Sequence, residues 1–210
     1  MDRTPRQLSL PAPCTHGGKR AGAGRKRRLP RATLPHRARP ALDAKAPLHV
    51  TLRMTDRVYS LRSARSFCVI ERALRGGAER FGMRVIRVSI QGNHVHLLVE
   101  ASSRHALTRG MRGLSIRLAR GMNRMMRDRG RVIADRYHAR SLRTPTEVRT
   151  VMHYLEHNRR HHVPSLPHGY VDVFVLSSHA VAGLLPEPAT WLLRVGWRRG
   201  RVAKSAMRWR

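Results

Sequence analysis

The segment Arg84–Glu100, RVIRVSIQGNHVHLLVE, determines the fold that the rest of the sequence supports. On both sides of Gly92–Asn93 every second residue is aliphatic, which is typical of two strands with one buried face. A glycine at the first central position of a two-residue connection favours a type II′ turn. The segment therefore predicts an antiparallel hairpin with Gly92 and Asn93 at its tip.

The two-residue turn determines which side chains share a face of this hairpin. It places Ser89 opposite His96 and Ile86 opposite Val99. One face is wholly apolar and forms the predicted core, whereas the other face carries His94 and His96. A one-residue slip would bury both histidines, so the register is well determined. We expect the two histidines to be presented on the surface and not buried.

Hydrophobic periodicity outside the hairpin predicts five further elements. In chain order they are a strand over 48–54, a helix capped by Ser66 that ends near Gly82, a basic helix opened by Ser102 or Ser103 and broken by Gly130, a strand over 131–143, and a helix from Pro145 to about His162. The last helix has the strongest start signal, a capping box of Thr144 and Glu147. With the hairpin, this order predicts an α+β fold: a ferredoxin-like βαββαβ sandwich with an antiparallel sheet and one added C-terminal helix.

Composition divides the chain into three parts. Residues 1–47 hold seven of the 12 prolines and twelve basic residues against two acidic ones, which predicts a disordered basic arm. Residues 48–163 hold the periodic segments and are the predicted folded domain. Residues 164–210 are a basic tail in which Trp191 and Trp197 alternate with arginines. This pattern fits either a stacking surface for single-stranded nucleic acid or a short helix docked by its tryptophans.

The formal net charge of +31, from 43 Lys+Arg and 12 Asp+Glu residues, predicts a polyanionic partner, and nucleic acid is the expected one. Two cysteines are too few for a disulfide framework or a cysteine zinc site. The absence of HExxH and PCxxC argues against zinc-protease and zinc-deaminase chemistry. No long apolar run or apolar signal segment occurs, so neither a membrane span nor secretion is expected. A cytoplasmic, nucleoid-associated protein is the expectation.

Candidate chemistry lies on the hairpin and on the last predicted helix. Histidines at i and i+2 on a strand, such as His94 and His96, can hold one divalent ion, although the same spacing also suits two half-exposed polar residues. Tyr154 and Asn158 lie one helical turn apart on a flank of the buried stripe, and His161 falls on that flank too. Tyr154 is either a boundary residue or a nucleophile for a metal-polarised phosphate, with Asn158 as an oxygen ligand.

Together the two motifs resemble those of a known family. The stretch GNHVHLLV, residues 92–99, is similar to the His-hydrophobic-His strand of the HUH single-strand endonucleases. The stretch YLEHN, residues 154–158, is similar to the tyrosine helix of their one-tyrosine branch. The resemblance points to IS200/IS605-like transposases and, more closely, to REP-associated tyrosine transposases. It covers about residues 47–163, in the order of the predicted elements.

This resemblance implies a metal-dependent transposase or endonuclease that cleaves and rejoins hairpin-bearing single-stranded DNA. By position, it implies that His94 and His96 bind Mg²⁺ or Mn²⁺ with Asn158 as a further ligand. It implies that Tyr154 is the catalytic nucleophile and forms a 5′-phosphotyrosine. An arginine-rich surface is expected to grip the DNA. The residues assigned to that surface are Arg87, Gln91, Arg112, Arg120, Arg136, Arg140, Arg159 and Arg160.

Two alternatives stay open at the level of sequence. The charge fits equally well a non-catalytic DNA- or RNA-binding protein derived from the same fold. Metal-dependent cleavage of DNA would distinguish an enzyme from such a binding protein. The resembled family also contains both monomers and homodimers with exchanged helices. Tyr154 therefore serves either the histidine pair of its own chain or that of a partner.

Overall fold

The computed structural model of the chain describes residues 42–178 and 183–203, and only the backbone of His161. Residues 1–41 of the predicted basic arm lie outside the described residues. In chain order the elements are β1 (Leu48–Arg53), α1 (Ala64–Arg75), β2 (Glu79–Arg80), β3 (Met83–Ile90), β4 (His94–Ala101), α2 (Arg104–Met126), β5 (His138–Ser141), α3 (Pro145–His162), β6 (Val175–Ser177), α4 (Trp191–Arg194) and a short 3-10 helix (Gly196–Arg199).

The strands form one open, antiparallel sheet in the order β2–β3–β4–β1–β5, and β6 also pairs with β3. The prediction of an α+β fold with an antiparallel sheet and an added helix is confirmed. The first strand of the chain lies beside the histidine strand, so Thr51 of β1 pairs with His96 on one side and with His138 on the other. This long-range pairing brings the polar positions of β1 into the neighbourhood of His94 and His96.

Helices cover both faces of the sheet. The larger hydrophobic cluster lies between the sheet and the pair α1 and α2; its members include Val50, Leu74, Leu97 and Met111. The second cluster lies under α3 and joins Leu98 of β4 to Val151 and Leu155 of α3. Of the helices in the described ranges, none has the length and apolarity that crossing a bilayer requires.

The helix α3 forms between the predicted bounds. The side chain of Thr144 accepts a hydrogen bond from the backbone N of Glu147 (3.2 Å), and the Glu147 carboxylate accepts one from the backbone N of Thr144 (3.2 Å). Pro145 occupies the first helical position, and Val163 caps the end after His162. The capping box sets the start of the helix, and hence which residues face the sheet.

The prediction for α1 is wrong at both ends. The N-cap is Ser63, whose side chain accepts a hydrogen bond from the backbone N of Ser66 (3.2 Å). The helix ends at Arg75 because the pair Gly76–Gly77 follows, and glycine has low helix propensity. The residues Phe81–Gly82, both with positive φ, turn the chain between β2 and β3 where helix was predicted.

The hairpin keeps its predicted register near the tip but not at its base. A β-bulge between Val85 and Arg87 pairs Val85 with Val99 in place of the predicted Ile86. Because a bulge inserts one extra residue into a strand, Ile86 packs in the second cluster under α3 and not in the larger cluster.

The turn at the tip is not of the predicted type II′. Gly92 lacks the positive φ that this type requires. The carbonyl groups of Gly92 and Asn93 instead accept hydrogen bonds from the backbone N of Leu61 and of Met54, at 2.8 Å each. These tertiary hydrogen bonds stabilise a conformation that the local sequence does not favour.

The strand β5 is also shorter than the predicted 131–143. It pairs with β1 only over His138–Ser141, and upstream of it a single bridge joins Ile133 to Met54. The Asp135 carboxylate accepts a hydrogen bond from the backbone N of Arg136 (2.7 Å). Such local side-chain bonds compete with strand pairing and account for the bend before β5.

The described part of the tail packs on the domain. The buried carboxylate of Glu100 accepts hydrogen bonds from the backbone N of Ala189 (2.9 Å) and of Thr190 (2.7 Å), which positions the start of α4. Trp197 packs against the second cluster, whereas Trp191 is 51% exposed. The alternative of a helix docked by its tryptophans therefore describes Trp197, and the exposed ring of Trp191 keeps the stacking alternative open.

Replacing Gly110 with alanine should destabilise the protein, although alanine has the higher helix propensity. A Cβ at Gly110 would lie 2.6 Å from Cβ of Met83, because α2 packs closely on β3. Overpacking should outweigh the gain in propensity and lower the free energy of unfolding by about 1 kcal/mol in urea titrations. Gly113→Ala is the control, since its nearest neighbour, Phe81, is 3.7 Å away. A stabilising effect of Gly110→Ala would contradict this close packing.

Candidate active site

The helix α3 lies over the polar face of the hairpin and buries most of it. His96 is 4% exposed, and His94 is partly buried. The expectation that both histidines would be presented on the surface is wrong, because the periodicity of a strand does not show what covers its second face. The assignment to the face opposite the larger cluster is right, since both rings contact residues of α3.

His94 and His96 are adjacent imidazoles on this face. Their ring centroids are 4.8 Å apart and the ring planes are nearly perpendicular, at 89°. Asn93 Oδ1 lies 2.9 Å from His94 Nδ1 and holds that ring in place. When Nδ1 of His94 carries the proton and donates it to Asn93, Nε2 carries the lone pair that a metal ion requires.

A third imidazole, His49 of β1, lies next to this pair. His49 Nε2 and Thr51 Oγ1 are both 3.1 Å from His96 Nδ1, and the ring planes of His49 and His96 are inclined by 26° with centroids 5.1 Å apart. Sequence reasoning did not assign His49 to the site. The signal was present: His49 and Thr51 occupy the polar face of an alternating strand, and a ferredoxin-like order places that strand beside the histidine strand.

Tyr154 reaches the histidine pair from α3. Its Oη is 3.4 Å from His96 Nε2, and the two ring centroids are 5.3 Å apart. Asn158, one turn later, is 1% exposed. The structure thus brings together, within one chain, four of the predicted site residues: His94, His96, Tyr154 and Asn158.

Two more histidines lie at the end of α3. The ring of His162 has its centroid 5.9 Å from that of His94. His162 continues the line of Tyr154 and Asn158 by one further turn, and sequence reasoning did not assign it to the site. The predicted approach of His161 to the site concerns a side chain outside the described residues.

The buried imidazoles are held in their neutral form. Burial, with a smaller contribution from neighbouring positive charge, lowers the pKa of His96 to about 2 and the pKa values of His49 and His94 to about 4. Burial also raises the pKa of the Tyr154 hydroxyl, and a hydrogen bond with Asn158 opposes this shift. At neutral pH the site therefore offers uncharged nitrogen ligands beside a protonated phenol.

These shifts predict a loss of stability in mild acid. The pKa values of His49 and His96 are lower in the folded chain than the unfolded value of 6.5. Below pH 6.5 the unfolded chain therefore binds more protons than the folded chain, and the free energy of unfolding decreases as the pH falls. Between pH 7.5 and pH 5 each buried histidine should cost about 2 kcal/mol of unfolding free energy. Urea titrations at the two pH values measure this loss of unfolding free energy, and the loss should be smaller in His49→Gln. An equal free energy of unfolding at pH 7.5 and pH 5 would contradict the neutral, buried cluster.

The predicted DNA-contact residues are distributed over the molecule. Arg140 lies opposite His49 on β5 and forms an ion pair with Glu147 (2.7 Å). Arg87 forms an ion pair with Glu156, and Gln91 is buried beside Ser89, so neither is a free surface group. The remaining residues are exposed on α2 (Arg112 and Arg120), exposed before β5 (Arg136) or partly buried on α3 (Arg159 and Arg160).

The two faces of the sheet separate these arginines. α2 packs in the larger cluster, whereas the histidine pair faces α3. Arg112 and Arg120 are therefore on the opposite side of the sheet from His94 and His96. The structure brings Arg140 near the site and does not bring Arg112 or Arg120 there.

Metal-ligand chemistry fits the centre of the site. Among the described residues, no group of three or more His, Cys, Asp or Glu side chains is arranged as a metal cluster. Two neutral imidazoles and the amide of Asn158 nevertheless form a nitrogen and oxygen donor set suited to Mn²⁺ or Mg²⁺.

A sequence profile for the family described as IS200-like transposases matches residues 45–158. The chain belongs to this family. The match covers every strand from β1 to β5, both sandwich helices and α3 as far as Asn158. The resemblance of the two short motifs is thus extended to more than half of this IS200-like transposase.

A solved structure shares the fold of this IS200-like transposase. A REP-associated tyrosine transposase bound to a REP hairpin aligns with 62% of this chain and 75% of its own, with a TM-score of 0.52 and 11% identity. A candidate transposase from Deinococcus radiodurans R1 aligns with 59% of this chain and 95% of its own, with a TM-score of 0.40 and 17% identity. A comparison with curated proteins gave no match. At 11% identity, the first likeness concerns the fold alone.

Proposed function

We propose that this transposase is an HUH-type enzyme with one catalytic tyrosine, and that it cleaves and rejoins hairpin-bearing single-stranded DNA in a metal-dependent reaction. The observation that carries the proposal is the distance of 3.4 Å between Tyr154 Oη and Nε2 of His96 in the same chain, beside His94. A nucleophile and metal-ligand nitrogens at such a distance can act on one phosphate.

His94, His96 and Asn158 would hold the divalent ion. Mg²⁺ or Mn²⁺ bound there supplies Lewis-acid polarisation of a non-bridging phosphate oxygen. The lowered pKa values of the two histidines keep both rings uncharged at neutral pH, so each ring has one nitrogen whose lone pair can bind the ion. Asn158 is buried and follows Tyr154 by one helical turn, so the two side chains share a flank of α3.

Tyr154 would perform the covalent step. A bond forms between its phenolic oxygen and phosphorus, and the bond from phosphorus to the 3′ oxygen of the DNA breaks. The phenolic proton is taken up overall by the departing 3′ oxygen, which gives a 5′-phosphotyrosine and a free 3′-hydroxyl. Attack by another 3′-hydroxyl reverses these changes and joins two DNA ends.

The DNA would be held by arginines on more than one surface. Arg140 lies near the histidine pair, and its exposed side chain, now paired with Glu147, would exchange that weak surface ion pair for the phosphate backbone of the strand to be cleaved. Arg112 and Arg120, on the opposite side of the sheet, would contact a part of the DNA that does not enter the site. The REP-associated tyrosine transposase that shares the fold is bound to a REP hairpin, which supports a structured strand as the substrate of this chain.

Strand labelling tests the proposed reaction. The full chain is incubated with hairpin-bearing single-stranded DNA, labelled at either end, in Mn²⁺ or in EDTA. DNA labelled at its 3′ end should become attached to the protein, and DNA labelled at its 5′ end should be released with a 3′-hydroxyl, in Mn²⁺ only. Attachment of the 5′ label would contradict the polarity. Binding without cleavage across hairpins and metal ions would favour the non-catalytic alternative.

A further inference from the structure

A buried imidazole contacts the histidine pair from the neighbouring strand. His49 is 2% exposed, and its Nε2 lies 3.1 Å from Nδ1 of His96. On the other side of the His96 ring, Nε2 faces Tyr154 Oη at 3.4 Å. The two nitrogens of His96 therefore face different groups: Nδ1 faces β1, and Nε2 faces the nucleophile on α3.

The position of one proton decides whether His96 can bind a metal ion through Nε2. A neutral imidazole carries its proton on Nδ1 or on Nε2, and only the nitrogen without the proton can be a ligand. If Nε2 carries the proton, His96 cannot bind an ion on the side that faces Tyr154. An acceptor at Nδ1 favours the productive tautomer, because it accepts the hydrogen bond that this tautomer donates.

The geometry points to His49 as a positioning residue that accepts the Nδ1 proton of His96 in a hydrogen bond and so presents the Nε2 lone pair to a divalent ion beside Tyr154. This inference rests on the metal site of the proposed function. Nε2 of His49 accepts this hydrogen bond when the proton of its own neutral ring is on Nδ1. Arg140 lies opposite His49 on β5, and Tyr154 contacts the His49 ring edge-on, with centroids 6.1 Å apart.

Thr51 is the competing acceptor, since its Oγ1 is also 3.1 Å from His96 Nδ1. The orientation of the two rings distinguishes the two candidates. The rings of His49 and His96 lie at 26° with centroids 5.1 Å apart, so His49 also restrains the orientation of the His96 ring. The Thr51 hydroxyl and Nε2 of His49 can each donate or accept, so the choice between them rests on the orientation that the His49 ring imposes. We assign the principal role to His49 for these reasons.

Calorimetric titration of the full, metal-free chain with MnCl₂ at pH 7.5 tests the inference. His49→Phe keeps a ring but removes the acceptor, and should weaken Mn²⁺ binding about 10- to 100-fold, the usual effect of losing such a partner. His49→Gln retains an acceptor and should restore binding to within about threefold of wild type. Thr51→Val should have a smaller effect than His49→Phe. His105→Phe, which changes an exposed imidazole on α2, on the other face of the sheet, is the matched control and should bind normally.

The tautomer is also measurable without any substitution. In ¹⁵N-histidine NMR spectra of the metal-free wild-type chain, His96 should show a protonated Nδ1 and an unprotonated Nε2. Two results would overturn the role of His49: a His96 ring that carries its proton on Nε2, or a folded His49→Phe variant that binds Mn²⁺ as tightly as the wild type does. If His49→Phe does not fold, the spectrum alone decides. Failure of the wild-type chain to bind Mn²⁺ would instead overturn the metal site, and the role of His49 with it.

Discussion

Replacing Tyr154 with phenylalanine should abolish DNA cleavage and the covalent protein–DNA adduct, with a loss on the order of 10³-fold or more. The substitution removes only the phenolic oxygen. The ring is 8% exposed and packs in the second cluster, so the fold should persist. Cleavage and adduct formation are measured on labelled hairpin DNA in Mn²⁺.

A second tyrosine provides the control for this variant. Tyr59 is 59% exposed and lies between β1 and α1. Tyr59→Phe removes the same atom from the surface and should leave cleavage unchanged. An adduct that persists in Tyr154→Phe, or one that is lost in Tyr59→Phe, would show that another residue is the nucleophile.

Replacing His96 with alanine should have the second largest effect, because it removes the imidazole that is proposed to bind the metal ion beside Tyr154. We expect cleavage to fall on the order of 10³-fold and Mn²⁺ affinity to fall at least about 100-fold. Calorimetry measures binding of the ion, and the hairpin assay measures cleavage. His157→Ala, which removes a histidine of α3 whose ring stacks on His153, is the control and should retain both.

The two variants should differ in a way that separates the proposed roles. Tyr154→Phe should bind Mn²⁺ as wild type does but fail to cleave, whereas His96→Ala should fail in both. Both should still bind hairpin DNA, since the arginines that would contact it are unchanged. Normal Mn²⁺ binding by His96→Ala would place the metal site elsewhere, and a loss of Mn²⁺ binding in Tyr154→Phe would make the phenol a ligand.

Local sequence signals predicted the two elements that carry the site. The capping box at Thr144 fixes the start of α3, and this start determines that Tyr154 and Asn158 share a flank. In the hairpin, alternation requires His94 and His96 to face away from the larger cluster. Both inferences needed only neighbours in the sequence, and both agree with the structure.

The contributions of distant segments could not be derived in the same way. The burial of His96 depends on where α3 lies, and the contact of His49 with His96 depends on the pairing of β1 with β4, strands about 45 residues apart. The bulge before Arg87 and the turn at Gly92 are likewise stabilised by packing and by hydrogen bonds from other segments. Such tertiary interactions override local propensity, and a single sequence does not display them.

The strong positive charge has a more specific meaning in the folded chain. Some arginines that counted toward a DNA surface are already paired: Arg87 with Glu156 and Arg140 with Glu147. Others, such as Arg112 and Arg120, lie on the far side of the sheet from the histidines. The net charge therefore indicates affinity for a polyanion, whereas the neutral cluster of His49, His94 and His96 is the feature that suits metal-ligand chemistry.

Mass spectrometry of the protein–DNA adduct tests the identity of the nucleophile most directly. The full chain is reacted with hairpin-bearing DNA in Mn²⁺, and the adduct is digested with nuclease and protease. The proposed reaction predicts that the peptide spanning YLEHN carries a nucleotide through its 5′ phosphate on Tyr154. A nucleotide attached to any other residue, or attached to Tyr154 through a 3′ phosphate, would contradict it.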